Sequence, residues 1–303
     1  MSVKNKVLNI LEQCKGESVS GQDLAEKLNV SRTAVWKAIN SLKEEGYIID
    51  GVSNKGYSLS PTSDILSSEG IQPFLNDEYK KAPIKVYKTI SSTNTEAKLM
   101  SLQGAEHGTV ILSEEQTNGR GRMGRSFYSP SESGIYMSII LKPDLSITDS
   151  VLITTASAVA VCLAVEKFTN LEPKIKWVND IYINNKKVCG ILTEAVTDIE
   201  SGTINALIVG IGLNVKTEIF PEELKKRAGS LFNSSKNSYI RNRLAAEIIN
   251  NVLSTCANLE DRNFLKIYKN RSMIIGEKIR YLKNNKWYEG YAQDKAGNKA
   301  GNK

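Results

Sequence analysis

The chain has 303 residues, of which 41% are hydrophobic and 24% are charged, and its formal net charge is +7. These values are ordinary for a soluble globular protein of two or three domains. Its longest apolar stretch, residues 151–165, is interrupted by threonine and serine and is too short to span a bilayer. The N-terminus also lacks the pattern of a signal peptide, so we expect a cytoplasmic protein with no membrane partner.

Cysteine and histidine usage excludes several kinds of chemistry. The four cysteines are far apart in sequence, which excludes a CxxC metal or redox motif. The single histidine, His107, lies in a turn-like segment with no nucleophile elbow, which argues against a Ser-His-Asp hydrolase. Residues 1–60 carry eight basic and seven acidic side chains, so charge alone does not indicate nucleic-acid binding there.

Residues 1–60 have the pattern of a winged helix-turn-helix domain. Hydrophobic spacing predicts a first helix over 3–14, and Ser20 and Ser31 are candidate N-caps of the next two, the last of which runs to about Glu45. Two short strands, 47–49 and 57–59, then predict a wing. We therefore expect a DNA-binding domain over residues 1–60.

A Pro-Thr-Ser linker leads into a mixed region over residues 64–270. Clustered strands with a few long helices favour an α+β architecture over a regular βαβ repeat. The predicted strands are 84–88, 109–114, 134–141, 175–178, 180–183, 188–194 and 204–213, and the predicted helices are 93–102, 150–168, 221–228 and 241–260.

Residues 271–303 form a third segment, with predicted strands at 278–282 and 287–292. From about residue 295 the sequence is a short AGNK repeat, which we expect to be disordered because it has no apolar residue larger than alanine.

The first chemistry-bearing motif is the loop Asn118–Arg125, in which three arginines and three glycines alternate. Glycines allow close backbone approach to a ligand, and arginines bind carboxylate and phosphate oxygens. The loop contains a formal GxGxxG, but no helix is expected after it, which argues against a dinucleotide site. A ligand loop for a polyanion or an acyl-phosphate and a plain basic surface loop remain open.

The second motif, residues 174–194, reads as a hairpin that turns at Asn184 and Asn185. Polar Asn179 and Asp180 interrupt its apolar strand and need partners, from a ligand or a hydrogen-bond network, and Lys187 could face the same pocket. A surface hairpin is the alternative. The third motif, residues 91–95, precedes a helix and is either a plain N-cap run or part of a site.

In this order, the motifs closely resemble the biotin–protein ligase family. The matching segments are STNTEA at 92–97, Gln116 ahead of GRGRMGR, the KWVNDIYINNKKVCGILTE hairpin at 176–194, and VGIGLNV at 209–215. The resemblance extends over residues 64–294 and implies a catalytic domain of the biotin/lipoate ligase type. The winged helix ahead of it resembles the subgroup that doubles as biotin operon repressor.

This resemblance implies a two-step reaction with ATP and biotin as substrates. Biotin attacks the α-phosphate of ATP, and a lysine of a biotin carboxyl carrier protein then attacks the adenylate. It implies that Arg122 and Lys187 are catalytic. The biotin-binding residues would be Ser92, Thr93, Asn94, Gln116, Arg120, Gly121, Arg122 and Lys187. The adenylate-side residues would be Arg120, Arg122, Arg125, Asn179, Asp180 and Gly190.

The resemblance also implies Mg²⁺ with ATP, although the sequence does not identify its ligands. It further implies operator DNA as a partner and a homodimer favoured by biotinyl-5′-adenylate. The DNA-binding residues would be Ser31, Arg32, Thr33, Trp36, Lys37, Asn54 and Lys55, with Trp36 alternatively a core residue.

The resemblance departs at the C-terminus, where the family continues with strands that complete a small SH3-like β module. Because the AGNK repeat replaces them, we expect that module, over 271–303, to be incomplete. Two alternative functions remain: a lipoate-type acyl ligase, which the GRGRMGR loop and the winged helix oppose, and a transcription factor that senses a ligand without ATP turnover.

Overall fold

The computed structural model describes residues 2–52, 55–142, 150–197, 203–232, 239–284 and 286–293. Its first unit is the predicted winged helix, in which three helices pack on a sheet of strand order β1-β3-β2. The helices are α1 Val3–Gln13, α2 Gly21–Leu28 and α3 Arg32–Glu44, and the strands are β1 Ser18–Val19, β2 Ile49–Val52 and β3 Gly56–Leu59.

Local capping explains where these helices begin. Ser20 Oγ accepts a hydrogen bond of 3.0 Å from the Asp23 N–H, and Ser31 Oγ accepts one of 3.1 Å from the Ala34 N–H. Each hydroxyl satisfies an N–H that has no partner within its helix. The apolar face of each helix meets a common core, in which Leu11, Leu24 and Leu42 are fully buried. Trp36 is 54% exposed, so its alternative placement in that core is wrong.

The central domain is built on a seven-stranded sheet of order β4-β5-β6-β10-β9-β8-β7. All neighbours are antiparallel except β4 and β5, which are parallel. The strands are β4 Ile84–Ile90, β5 Val110–Gln116, β6 Gly134–Leu141, β7 Lys174–Lys176, β8 Asp180–Ile183, β9 Lys186–Thr197 and β10 Ile204–Asn214. The helices are α4 Ser68–Ile71, α5 Thr93–Leu102, α6 Ser150–Phe168, α7 Glu222–Lys225, α8 Arg241–Ala257 and α9 Asn263–Arg271.

Helices cover both faces of this sheet. On one face α6 and α8 bury the larger core cluster, and on the other α5 buries a smaller one with Ala97, Ile111 and Ile208. Because successive strand residues point to opposite faces, a strand covered on both sides is buried along its whole length, as β6 is. The candidate active site lies on the α5 face.

Several element boundaries differ from the predictions. The helix predicted over 221–228 is only the single turn α7, because Arg227, Ala228 and Gly229 instead pair with the backbone of Lys187. The sequence did not predict β1, α4 or α9. The turn of the β8–β9 hairpin is confirmed, since Asn184 and Asn185 have φ of 48° and 60°, which suits asparagine.

The C-terminal segment contains a hairpin of β11 Lys278–Lys283 and β12 Lys286–Tyr291. Aromatic residues of this hairpin are partly exposed; Tyr281 stacks on Tyr288 at a centroid distance of 5.6 Å. The AGNK repeat lies outside the described residues, so its expected disorder stays a prediction. No helix among the described residues has the length and apolarity needed to cross a membrane.

Candidate active site

The Gly119–Arg125 loop closes on itself between β5 and β6. The Gly121 N–H donates to the Arg125 carbonyl at 2.7 Å, and the Phe127 N–H donates to the Gly119 carbonyl at 2.8 Å. A Cβ on Gly119 would lie 2.4 Å from the carbonyl oxygen of Phe127, so the turn requires glycine. A short 3₁₀ turn, not an α-helix, lies within the loop, which agrees with the sequence argument against a dinucleotide site.

This loop covers a pocket bounded by the start of α5 and by strands β9 and β10. Ten predicted site residues line it: Ser92, Thr93, Asn94, Gln116, Arg120, Gly121, Arg122, Asn179, Lys187 and Gly190. The same pocket is lined by six residues to which the sequence assigned no role: Phe127, Ile191, Leu192, Gly210, Ile211 and Gly212. Two predicted residues, Arg125 and Asp180, are not among the lining side chains.

One inner wall of the pocket is a polar cluster held by Gln116. Its Oε1 accepts hydrogen bonds from the Thr93 backbone N–H at 2.9 Å and from the Thr93 hydroxyl at 3.1 Å, and its Nε2 donates to Ser129 Oγ at 2.9 Å. Because the backbone N–H can only donate, the orientation of the Gln116 amide is fixed. The second Nε2 proton is therefore available to an acceptor such as a carbonyl oxygen.

Asn94 is buried beside this cluster, and both ends of its amide are hydrogen-bonded to protein groups. Its Nδ2 donates to Glu194 Oε2 at 2.8 Å and to the Leu192 carbonyl at 3.3 Å, and its Oδ1 accepts from Ser138 Oγ at 2.6 Å. The amide lies directly against β10, since a Cβ on Gly210 would lie 2.0 Å from Asn94 Oδ1. Only glycine at that position leaves room for the amide.

Glu194 is an ionised carboxylate under this wall. Burial alone would raise the pKa of Glu194, but the hydrogen bonds from Lys98 and Asn94 and the charges of Lys98 and Arg120 lower it overall. Lys98 Nζ lies 2.6 Å from Glu194 Oε1, and Arg120 Nη1 lies 3.8 Å from the same oxygen. Glu194 thus links the polar wall to the loop.

The floor of the pocket is formed by β10, opposite the ring of Phe127. A Cβ on Gly212 would lie 2.5 Å from Phe127 Cε1, and one on Gly190 would lie 3.2 Å from Lys187 Nζ. Gly212 and Gly190 are directly paired across β10 and β9. The missing side chains therefore make room for the Phe127 ring and the Lys187 side chain, which lie directly against the two strands and bound the pocket there.

The cationic groups of the site are Arg120, Arg122 and Lys187. Arg122 Nη1 donates to Asn179 Oδ1 at 3.0 Å, and Asn179 Nδ2 donates to the Ile191 carbonyl at 2.8 Å. Lys187 Nζ lies 2.7 Å from Asp180 Oδ1. Asn179 is therefore hydrogen-bonded, as the sequence required, whereas the buried Asp180 Oδ1 has the Lys187 ion pair but no hydrogen bond, and Asp180 reaches the site through that pair.

Three of the unpredicted residues had a signal in the sequence. Gly210 and Gly212 alternate within a buried apolar strand, a pattern typical of close approach to a ligand or another side chain. Glu194 ends the second motif. Nothing in the sequence distinguished Phe127.

The residues predicted to bind DNA lie on the exposed side of the winged helix. Arg32, Thr33, Trp36 and Lys37 are exposed along one face of α3, and Ser31, also exposed, caps that helix. Lys55 is exposed just before β3, whereas Asn54 lies outside the described residues.

Comparison with known proteins agrees with this architecture. A model of the biotin/lipoate A/B protein ligase family matches residues 86–214, and a model of an HTH domain matches residues 3–58. The chain is 38% identical over 236 residues to the bifunctional ligase/repressor BirA of Bacillus spizizenii, covering 77% of this chain and 72% of that protein. BirA of Escherichia coli K12 is 27% identical over 234 residues, covering 77% and 71%.

Among solved structures, the biotin protein ligase of Aquifex aeolicus in complex with biotin and ATP superposes with a TM-score of 0.58. It is 26% identical, and the match covers 69% of this chain and 86% of that one. The fold is thus that of a biotin/lipoate-type ligase domain that follows an HTH domain. With its extended likeness to the Bacillus protein, the chain belongs to the family of bifunctional biotin ligase/repressors.

Proposed function

We propose that this chain attaches biotin to a carboxyl carrier protein at the expense of ATP and, with biotinyl-5′-adenylate bound, represses transcription of genes for biotin supply. The observation that carries the proposal is that a polar wall, a glycine floor with Phe127 on it and three cationic side chains meet in one pocket. The wall suits a cyclic urea, the Phe127 ring that lies against the glycines suits an acyl chain, and the cations suit a carboxylate next to a phosphate.

In the first step a biotin carboxylate oxygen attacks the α-phosphorus of ATP, and the bond to pyrophosphate breaks. Ser92, Thr93, Asn94 and Gln116 would hold the ureido end, so that the carboxylate points toward Lys187. Lys187 and Arg122 would stabilise the negative charge that develops on the phosphoryl oxygens. Asp180 orients the Lys187 ammonium through their ion pair.

In the second step a lysine amine of the carrier protein attacks the biotinyl carbonyl and AMP leaves. Arg120, Gly121 and Arg122 would lie over the adenylate and keep it from water until the carrier arrives. Arg125 and Asn179 are further candidates for contacts on the adenylate side, Asn179 because it lines the pocket and binds Arg122. Gly190 would allow the close approach of the ligand to β9.

Mg²⁺ is expected to accompany ATP, commonly on its phosphates. Among the described residues, no three His, Cys, Asp or Glu side chains are grouped so that they could hold a metal ion. The described residues therefore offer no cluster of metal ligands for Mg²⁺, and neither reaction step is assigned to the ion.

The repressor half of the proposal assigns α3 to the major groove of operator DNA. Arg32, Thr33, Trp36 and Lys37 would contact bases and phosphates, while Ser31, Asn54 and Lys55 would contact the backbone nearby. A single winged helix makes few contacts with DNA, so the proposed binding form is a homodimer on a two-fold operator. The proposed location of the protein is the cytoplasm.

The experiment that tests the ligase is ATP- and biotin-dependent labelling of a carrier domain, with lipoate as a control substrate. Labelling by the wild type and its loss in Lys187→Ala and Arg122→Ala would support the assigned roles. A wild type that binds biotin but never labels the carrier would favour a ligand sensor, and labelling only with lipoate would favour a lipoate ligase.

A further inference from the structure

Trp36 is a large apolar side chain on the outer surface of α3. The inner face of that helix packs in the core through Val35, Ile39 and Leu42, each at most 1% exposed, whereas Trp36 is 54% exposed. Among the described residues, the Trp36 ring has no hydrogen-bond, aromatic or cation–π partner. Because tryptophan is enriched on surfaces that a partner covers, the exposed ring is available to a binding partner.

The charges around Trp36 indicate which kind of partner fits this surface. Arg32 lies about one helical turn before Trp36, and Lys37 follows it directly; both are exposed. Residues 31–43 contain no acidic side chain, and the first one after them, Glu44, is the last residue of the helix. The ring therefore lies in a cationic surface, which attracts the phosphates of DNA and repels a second copy of itself.

The chemistry of the indole ring restricts which base it can cover. The indole has one N–H donor and no acceptor, and the rest of its surface is apolar. In the major groove, adenine and cytosine present amino groups, which would lose their hydrogen bonds to water against such a ring. Guanine presents acceptors but no apolar group, whereas thymine presents a methyl group beside the O4 acceptor. Thymine is therefore the base whose edge matches the ring.

We infer that Trp36 is a specificity-determining residue of the DNA-binding face: its ring covers the 5-methyl group of a thymine in the major groove. The inference rests on the proposed repressor function and adds a base preference to it. Trp36 shares one face of α3 with Arg32 and Thr33, because residues three and four apart are neighbours on a helix. It also lies in the N-terminal half of α3, the part of such helices that reaches base edges.

The test uses the full chain with biotinyl-5′-adenylate and a DNA duplex that the wild type enriches from a random-sequence library. Each thymine of that duplex is replaced in turn by uracil, which pairs with adenine in the same way but has no methyl group. Fluorescence anisotropy gives the Kd of every duplex for wild type, Trp36→Phe and Trp36→Ala. Ile48→Ala is the matched control, because Ile48 is 48% exposed in the same domain but lies beyond the C-terminal end of α3, where its N–H bonds to Ser63 Oγ at 3.4 Å.

For wild type, uracil should weaken binding about fourfold at one thymine position of a half-site, the loss expected for one buried methyl group. Trp36→Phe keeps an apolar ring and Ile48→Ala leaves the α3 surface unchanged, so both should keep this difference. Trp36→Ala should bind the thymine and uracil duplexes equally at that position, because no ring remains to cover the methyl group. Uracil at the other positions should affect wild type and Trp36→Ala alike.

A Trp36→Ala variant that binds every duplex more weakly but keeps the thymine–uracil difference would indicate a merely structural residue and overturn the inference. The inference also fails if wild type is indifferent to every uracil, or if Trp36→Ala binds DNA as wild type does. Should Trp36→Ala fail to fold, Trp36→Gln, which also lacks the ring, gives the same comparison. A library from which wild type enriches no sequence would instead remove the repressor half of the proposed function, so the two failures are distinguishable.

Discussion

Arg241, at the start of α8, binds Asp64 in the linker between the two domains. Its Nε lies 3.0 Å from Asp64 Oδ2, and its backbone N–H donates to Asp64 Oδ1 at 3.0 Å. Its Nη1 also lies 2.6 Å from Glu114 Oε2 on β5, and Lys216 Nζ, just after β10, lies 3.1 Å from Asp64 Oδ2. The linker is therefore tied to the helix and to the ends of two strands that contribute to the pocket.

Replacing Arg241 by methionine should strongly destabilise the protein. Arg241 is 1% exposed, and its loss would leave Asp64 and Glu114 buried with too little compensating charge. Breaking a buried ion pair of this kind costs about 3–5 kcal/mol. Urea unfolding followed by circular dichroism measures the change in the free energy of unfolding.

Arg271→Met is the matched control for that change. Arg271 also binds a carboxylate with two nitrogens, that of Glu166, but its side chain is 21% exposed and that of Glu166 is 34% exposed. Partly solvated pairs contribute about 0–1 kcal/mol, so this variant should unfold near the wild-type midpoint. Equal losses in the two variants would show that burial of the Arg241 cluster has no special effect.

A second prediction concerns the glycine floor. Gly212→Ala places a methyl group 2.5 Å from the Phe127 ring, which must move into the pocket or open the loop. Biotin affinity should fall by about tenfold or more, as for an overpacked core position costing about 1–3 kcal/mol. Calorimetric titration with biotin measures the effect.

Gly290→Ala is the control, because a Cβ on Gly290 meets no atom within 4 Å. It should bind biotin as wild type does. If Gly212→Ala also binds normally, Phe127 does not form a fixed wall of the site.

Site residues within short local motifs could be predicted from the sequence, whereas pairs that the strand order or a distant helix brings together could not. Short motifs identified most of the pocket lining, because Thr93, Gln116 and Lys187 sit within local patterns of turn, loop and hairpin residues. The strand order β6-β10-β9 could not be read from sequence, and it is this order that places Gly210 beside Leu192 and Ser138. Asp64 and Arg241 are 177 residues apart, so no local pattern could pair them.

The helix predicted over 221–228 shows the opposite case, in which a local pattern was overridden. Its residues have adequate helix propensity, but the Lys187 N–H donates to the Arg227 carbonyl at 2.7 Å, and the Gly229 N–H donates to the Lys187 carbonyl at 2.9 Å. The Arg227 and Ala228 N–H groups still bond to the Leu224 carbonyl, but the bonds to the strand that carries Lys187 then end the helix.

The third prediction concerns nucleic-acid binding by α3. Lys37 is exposed on the face that carries Arg32 and Trp36, whereas Lys43, also exposed, lies in the last turn. If α3 docks by its N-terminal half, Lys37→Ala should lower the slope of log affinity against log salt by about one, and Lys43→Ala should not. Fluorescence anisotropy with random-sequence duplex DNA over a salt series measures both slopes. A shared slope for wild type and both variants would reject this docking face.

The last prediction concerns assembly. Arg120, Gly121 and Arg122 line the pocket while belonging to an exposed loop, so a bound adenylate would restrict the Gly119–Arg125 segment. If the restricted loop favours a second copy of the chain, biotinyl-5′-adenylate binds the dimer more tightly than the monomer, and by linkage it strengthens dimerisation equally. Couplings of this kind are about 1–3 kcal/mol, or roughly 5–150-fold in the dimer constant.

Sedimentation equilibrium with and without the adenylate measures the change in the monomer–dimer constant. Lys187→Met, which loses the phosphate-side cation, should show a smaller change at the same adenylate concentration. A monomer–dimer constant that the adenylate leaves unchanged would separate biotin activation from assembly in this chain.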